Sequence, residues 1–185
     1  MSDEQAGAEA TSGLLVVFAG LPATGKSTVS QAFARHVRAP YLRLDSIEQS
    51  LVRAGLTDSS GAAGYVVAHA LALDHLLLGL TAVVDCVNPL ELTRSAWHET
   101  ASRASVPVVD IEIVCSDIEQ HRYRAEHRVV TVPELIAPTW QEIVDRDYAA
   151  WTTPRLVIDT AAVGPDLAVE RILEYTKSMT TTAPR

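Results

Sequence analysis

The sequence predicts a three-layer α/β domain: a five-stranded parallel sheet with helices on both faces. Three observations carry that reading. Short apolar runs alternate with helical segments of about ten to fifteen residues, a rhythm that implies right-handed crossovers and a parallel sheet. The first run, Leu14 to Phe18, stops at Gly20 and leads through Leu21, Pro22, Ala23, Thr24, Gly25, Lys26 and Ser27 into a helix. Two later runs each end in a carboxylate, Asp45 and Asp85, and the carboxyl ends of strands are where such sheets bind ligands.

The chemistry of the first turn follows from its spacing, Gly-x-x-x-x-Gly-Lys-Ser. A buried strand delivers the chain to a tight loop whose backbone N–H groups wrap a phosphate, and small residues let the backbone come that close. Residues Gly20 to Thr28 are therefore the expected nucleotide-binding segment, with Lys26 reaching the β- and γ-phosphates and Ser27 holding Mg²⁺. A helix over Ser27–Arg38, whose positions Val29, Ala32, Phe33, His36 and Val37 fall at helical spacing and bury one face, adds its N-terminal dipole.

Tyr41 to Leu44 then reads as a short strand ending at Asp45, and Ser46–Ala54 as a helix stopped by Gly55. Thr57 to Gly64, small and polar, reads as a loop, followed by an apolar helix over Tyr65–Leu80. Thr81 to Asp85 forms the third strand. Asn88, Pro89 and Glu91 have the pattern of a capped helix start, with the helix running to about Ser105. Val106 to Cys115 is the fourth strand. Ser116 with Glu119 makes a capping box for a helix carrying Arg122, Arg124 and Arg128, and Pro133 and Pro138 keep Val129–Ala137 irregular. Thr139 with Glu142 caps a further helix to about Trp151, Leu156 to Asp159 is the fifth strand, and Gly164 and Pro165 open the closing helix. Residues 1–12 and 178–185 read as disordered tails around one domain, 13–177.

Composition narrows the classes of function. Of the 185 residues 48% are hydrophobic and 21% charged, an ordinary globular balance. The formal charge of −8 argues against a nucleic-acid partner, because polyanion binding draws its affinity from clustered cations. Cys86 and Cys115 lie far apart without a C-x-x-C pair, so zinc is not expected and a reducing interior is. The N-terminus lacks the positive start and apolar core of a secretion signal, and the longest apolar stretch is interrupted by His69, Asp74 and His75. A cytoplasmic protein without membrane contact, monomeric or homodimeric, is the expectation.

With these residues placed, the chain from about Leu14 to Thr176 resembles the small P-loop kinases that phosphorylate metabolites, antibiotics or nucleotides. Gluconate kinase, adenylylsulfate kinase, chloramphenicol phosphotransferase and the zeta toxins belong to that group. Gly20 to Ser27 match its Walker A motif. The resemblance implies the three-layer P-loop kinase fold, strand order 2-3-1-4-5, a mobile lid over about 117–138, and ATP with Mg²⁺. Leu44-Asp45-Ser46 is similar in setting to the aspartate that accepts the proton of the substrate hydroxyl in the chloramphenicol phosphotransferase and zeta-type branch. Val83-Val84-Asp85 resembles the strand-terminal aspartate used near Mg²⁺ or the substrate. Among the lid cations Arg128 is preferred, then Arg124, then Arg122, because phosphoryl transfer needs a cation to meet developing charge.

Duller roles stand beside these. Asp45 with Glu48 is also a capping box, Asn88 is a helix cap, and Arg94 is a weaker candidate for an anionic substrate group. The histidines and Trp97, Trp140 and Trp151 read as packing residues. A small-molecule acceptor is expected, and the cation-poor segment around Thr57–Gly64 tilts it towards an uncharged compound. A nucleoside or nucleotide kinase, a polynucleotide kinase and a non-transferring ATP-dependent switch share the same motifs.

Overall fold

Alternation along the first strand, β1 (Leu15–Ala19), sends Val16 and Phe18 to one side and Leu15 and Val17 to the other, and each set meets a separate core. That is why the run is apolar throughout: a central parallel strand is buried on both faces. The computed structural model describes residues 13–57 and 62–181. After β1 come α1 (Lys26–Val37), β2 (Tyr41–Arg43), α2 (Leu44–Arg53), α3 (Ala62–Leu77), β3 (Ala82–Asp85), α4 (Glu91–Arg103), β4 (Val108–Val114), α5 (Ile118–His127), α6 (Trp140–Val144), β5 (Leu156–Asp159) and α7 (Pro165–Thr181).

The sheet is five-stranded and parallel, in the order β2-β3-β1-β4-β5, as expected. On one face α1 and α7 bring Val29, Phe33, Ala168 and Ile172 onto Val16, Phe18, Ile111 and Ile158. On the other, α3 and α4 bring Ala68, Ala72, Leu76 and Trp97 onto Leu15, Val17 and Val84. The strand order reverses between β3 and β4, so β1 delivers the phosphate loop to the point where helices on opposite faces diverge. Among the described residues, no helix is long and apolar enough to cross a membrane.

Several boundaries differ from the sequence reading for local reasons. The chain passes from β2 straight into α2, because Leu44 drops into the second core. Asp45 therefore lies inside the first helical turn rather than at the cap, and its proposed capping box with Glu48 does not form. Helix α3 begins at Ala62, so Ala62–Gly64 are helical rather than loop, while 58–61 lie outside the described residues. It ends before Leu80 because Gly79, at φ 77°, turns the chain and lets the Leu80 N–H reach back to the His75 carbonyl.

Asn88 does not cap α4. It sits at φ 50°, and Leu90 occupies the cap, its N–H donating to Thr93 Oγ1. Ser116 does not cap α5 either: Asp117 accepts the Gln120 N–H at 2.9 Å, leaving Ser116 to bind Asp159. The Thr139–Glu142 capping box forms, but α6 stops at Val144, and the Ala149 N–H, which a longer helix would send to Asp145, donates to the Pro89 carbonyl instead. Helix α7 continues to Thr181, so the expected tail from Ser178 is helical over its first residues; the tails 1–12 and 182–185 lie outside the described residues.

Candidate active site

The loop between β1 and α1 is built to hold an anion. At Gly20, φ is +144°, and a Cβ there would lie 2.3 Å from the Ile113 carbonyl oxygen, so only glycine fits where the loop leaves the sheet. Ala23 at φ 66° and Gly25 at φ 93° turn successive amides inwards; a non-glycine residue in that region marks local strain held by its surroundings. Thr24 Oγ1 donates to the Leu21 carbonyl at 2.9 Å and stiffens the turn. Among the described residues, the backbone N–H groups of Ala23 to Ser27 donate to no backbone carbonyl. They converge on the N-terminus of α1, where the helix dipole favours negative charge.

Lys26 and Asp85 meet in front of that loop at 2.6 Å, and only 9% and 2% of their surfaces are exposed. Burial alone would lower the lysine pKa and raise that of the carboxylate. Their mutual attraction reverses both shifts: Lys26 is raised and Asp85 lowered, so the pair is ionised. The Tyr41 hydroxyl donates to the other Asp85 oxygen. Burial and the Asp85 charge push the Tyr41 phenol up, so it stays a donor. Ser27, at the start of α1, and Asp85, paired with the neighbouring Lys26, present hard oxygen donors at the phosphate loop. That suits Mg²⁺, which takes one or two protein oxygens and completes its shell with water and phosphate.

Asp45 is the other carboxylate of the cleft. Its side chain is 40% exposed, with Oδ2 3.6 Å from Arg43 Nη2. The charge of Asp45 acts on Lys26 from the phosphate loop, Glu48 from α2, Tyr65 from α3, Cys86 after β3 and Arg128 from the lid. Glu48 is pushed up to about 7 by burial and by Asp45, against the pull of Arg146. Gly64 lets Glu48 in: a Cβ there would lie 2.3 Å from Glu48 Cγ. Asn88, fully buried, has both amide side-chain atoms without a hydrogen-bond partner.

The three lid arginines go to three places. Arg122 is exposed and pairs outward with Glu126. Arg124 lies against the far end of the phosphate loop, with Nη1 donating to Thr160 Oγ1 at 2.8 Å and Nη2 to the Thr160 carbonyl. Thr160 in turn donates to the Thr24 carbonyl at 2.6 Å and packs where a Gly25 side chain would be. Arg128 is half-buried; burial and Arg43 lower its pKa while Asp45 raises it. Its Nε has no hydrogen-bond partner.

Some functional neighbours escaped the sequence reading. His121 is buried and its Nε2 lies 2.8 Å from the Pro22 carbonyl, pinning α5 to the phosphate loop, with Trp140 edge-on to the ring. Nothing in the spacing of His121 pointed there. Thr160 could have been found, since it follows the end of β5 just as Gly20 follows β1. Arg94 is corrected: it is 1% exposed, donates to the carbonyls of Asn88, Pro89, Ala149 and Ala150, and stacks 3.9 Å from the Trp151 ring. It clamps two loops, with four of its N–H donors spent on backbone carbonyls. Trp97, stacked on His69 at 3.8 Å, packs as expected.

Sheet order, phosphate loop and lid together give this chain the P-loop kinase fold. Solved structures bear out the fold. An APS kinase from Mycobacterium tuberculosis, in complex with AMPPNP and APS, superposes with a TM-score of 0.63 at 19% identity, covering 89% of this chain and 98% of that one. A sugar kinase from Janibacter sp. HTCC2649 gives 0.66 at 17% identity over 94% and 99% of the two chains. A gluconokinase from Sinorhizobium meliloti 1021 gives 0.59 at 16% over 90% and 97%. No protein-family model and no curated protein sequence matches the chain.

Proposed function

We propose that the protein transfers the γ-phosphoryl group of ATP to a hydroxyl of a small molecule. The observation that carries this is the phosphate loop with the buried Lys26–Asp85 pair in front of it, beside which Asp45 is a partly exposed carboxylate whose charge acts on Lys26. Kinases among the similar folds support the reading.

The loop amides and Lys26 hold the triphosphate, the lysine exchanging its contact with Asp85 for the β- and γ-phosphate oxygens. Ser27 and Asp85 hold Mg²⁺, which when bound neutralises charge on those oxygens. Asp45 accepts the acceptor's hydroxyl proton; the freed oxygen bonds to the γ-phosphorus as its bond to the β–γ bridging oxygen breaks, and ADP leaves. Arg128 meets the charge on the migrating group, and Arg124, tied to Thr160, keeps the lid helix registered against the loop. The acceptor presents its hydroxyl to Asp45.

The test is ADP release by the purified protein against a panel of sugars, nucleosides, nucleotides and antibiotics, with product mass to show an added phosphoryl group. Acceptor-dependent release with that mass gain is expected. ATP binding with no acceptor-dependent ADP from a broad panel would favour a nucleotide-dependent switch instead.

A further inference from the structure

We propose that the acceptor carries an anionic group of the phosphate, sulfate or carboxylate class, held in the cleft between α2 and the lid segment by Arg43 and Arg53. The inference deepens the phosphotransfer reading and rests on it. A cleft of about 130 Å³ opens there, lined by Arg43, Ser46, Ser50 and Arg53 from one side and Thr131 and Val132 from the other. Positions 43, 46, 50 and 53 recur at intervals of three and four, so β2 and α2 present them along one stripe. Two guanidiniums and the Ser46 hydroxyl make a donor-rich lining suited to oxyanions, while the Ser50 hydroxyl donates to the Ser46 carbonyl. An uncharged apolar acceptor would find little to bind.

The cations are under-used. Arg43 Nη1 donates to Thr131 Oγ1 at 2.9 Å, and Nη2 stands 3.6 Å from Asp45, but its buried Nε has no hydrogen-bond partner. Arg128, near enough for its charge to be felt at Arg43, has the same orphaned Nε. Arg53 faces Glu134 at 3.8 Å, a loose pair with both side chains more than half exposed, of the kind solvent screens. A buried charged donor with no acceptor is a cost that a bound anion removes.

Placement gives the cleft its use. Arg43 forms its wall towards Asp45, so an acceptor anchored by its anion presents a neighbouring hydroxyl to the base, which is how remote binding orients a reacting atom. The expectation of a cation-poor pocket came from the segment around Thr57–Gly64. The cleft departs from that expectation because β2 supplies Arg43 and the end of α2 supplies Arg53.

The experiment is calorimetric titration of the full chain in two stages, first with AMPPNP and Mg²⁺, then with inorganic phosphate once the phosphate loop is saturated. The wild type should bind phosphate in the second stage, and Arg43→Gln and Arg53→Gln should each weaken that binding by about tenfold or more. Arg53→Gln is the cleaner variant, because Arg43 also holds Thr131. An unchanged melting temperature and AMPPNP isotherm for Arg53→Gln identify the loss as local. No phosphate binding to the AMPPNP-saturated wild type, or equal binding by wild type and both variants, overturns the anion subsite alone. Failure of AMPPNP itself to bind overturns the phosphotransfer reading on which it rests.

Discussion

Replacing Lys26 by methionine should destabilise the protein as well as abolish nucleotide binding, and the size of the loss follows from what Asp85 is left with. Asp85 is 2% exposed and Lys26 is its ion-pair partner. Breaking one side of a buried pair typically costs about 3–5 kcal/mol, because the remaining charge stays desolvated. The Tyr41 hydroxyl still donates to Asp85, which puts the expected loss near the lower end, about 3 kcal/mol. For a chain of this size that is roughly 6–12 °C in Tm. Adding Asp85→Asn removes the stranded charge, so the double variant should recover about 2 kcal/mol of the loss. Thermal and urea denaturation of the two singles and the double close the cycle. The pH dependence has a definite sign: Asp85 has a folded pKa below its unfolded value, so its contribution is present above about pH 4 and is lost as pH falls through the folded value. Lys26→Met should weaken that acid limb. A Lys26→Met protein within about 0.5 kcal/mol of wild type, or a double variant as unstable as the sum of the singles, would refute the reasoning.

Other consequences can be measured separately. Arg128→Ala should lower kcat by about 10²–10³, as loss of one transition-state donor does, whereas Arg122→Ala should leave kcat within about twofold because it reaches only Glu126; equal effects of the two would remove Arg128 from the mechanism. Gly20→Ala should abolish nucleotide binding, since its Cβ would collide with the Ile113 carbonyl at an unfavourable φ, and normal ATP affinity by titration would contradict the loop geometry. Glu48 has a folded pKa near 7, above its unfolded value, so its effect runs opposite to that of Asp85: wild-type stability should fall as pH rises from about 4.5 to about 7. Glu48→Gln should flatten that part of the Tm–pH curve, and an unchanged slope would show that Glu48 is not buried beside Asp45.

The fold was legible wherever one local pattern decided the outcome. Val16 and Phe18 against Leu15 and Val17 required a strand buried on both faces, and Gly20 to Ser27 required a tight turn into a helix. Cap residues were less legible because neighbours compete for them. Ser116 is spoken for by Asp159 across the sheet, and Asn88 is diverted to a left-handed position by the loop that Arg94 clamps. The site was legible where its residues end strands, as Asp85 does, or follow them at once, as Asp45 does. It was hidden where tertiary approach alone places a residue: His121 reaches Pro22 across 99 positions, and Arg43 meets Thr131 across 88. Charge counts along one segment could not foresee that meeting.

The central claim is that Asp45 deprotonates an alcohol held in front of the phosphate loop. Once an acceptor is found, single-turnover formation of the phosphorylated product by wild type and Asp45→Asn, at saturating ATP and acceptor, tests it most directly. The predicted result is a fall of about 10²–10⁴ in the rate of the chemical step with ATP affinity unchanged. A product rate within a few-fold of wild type would contradict the account.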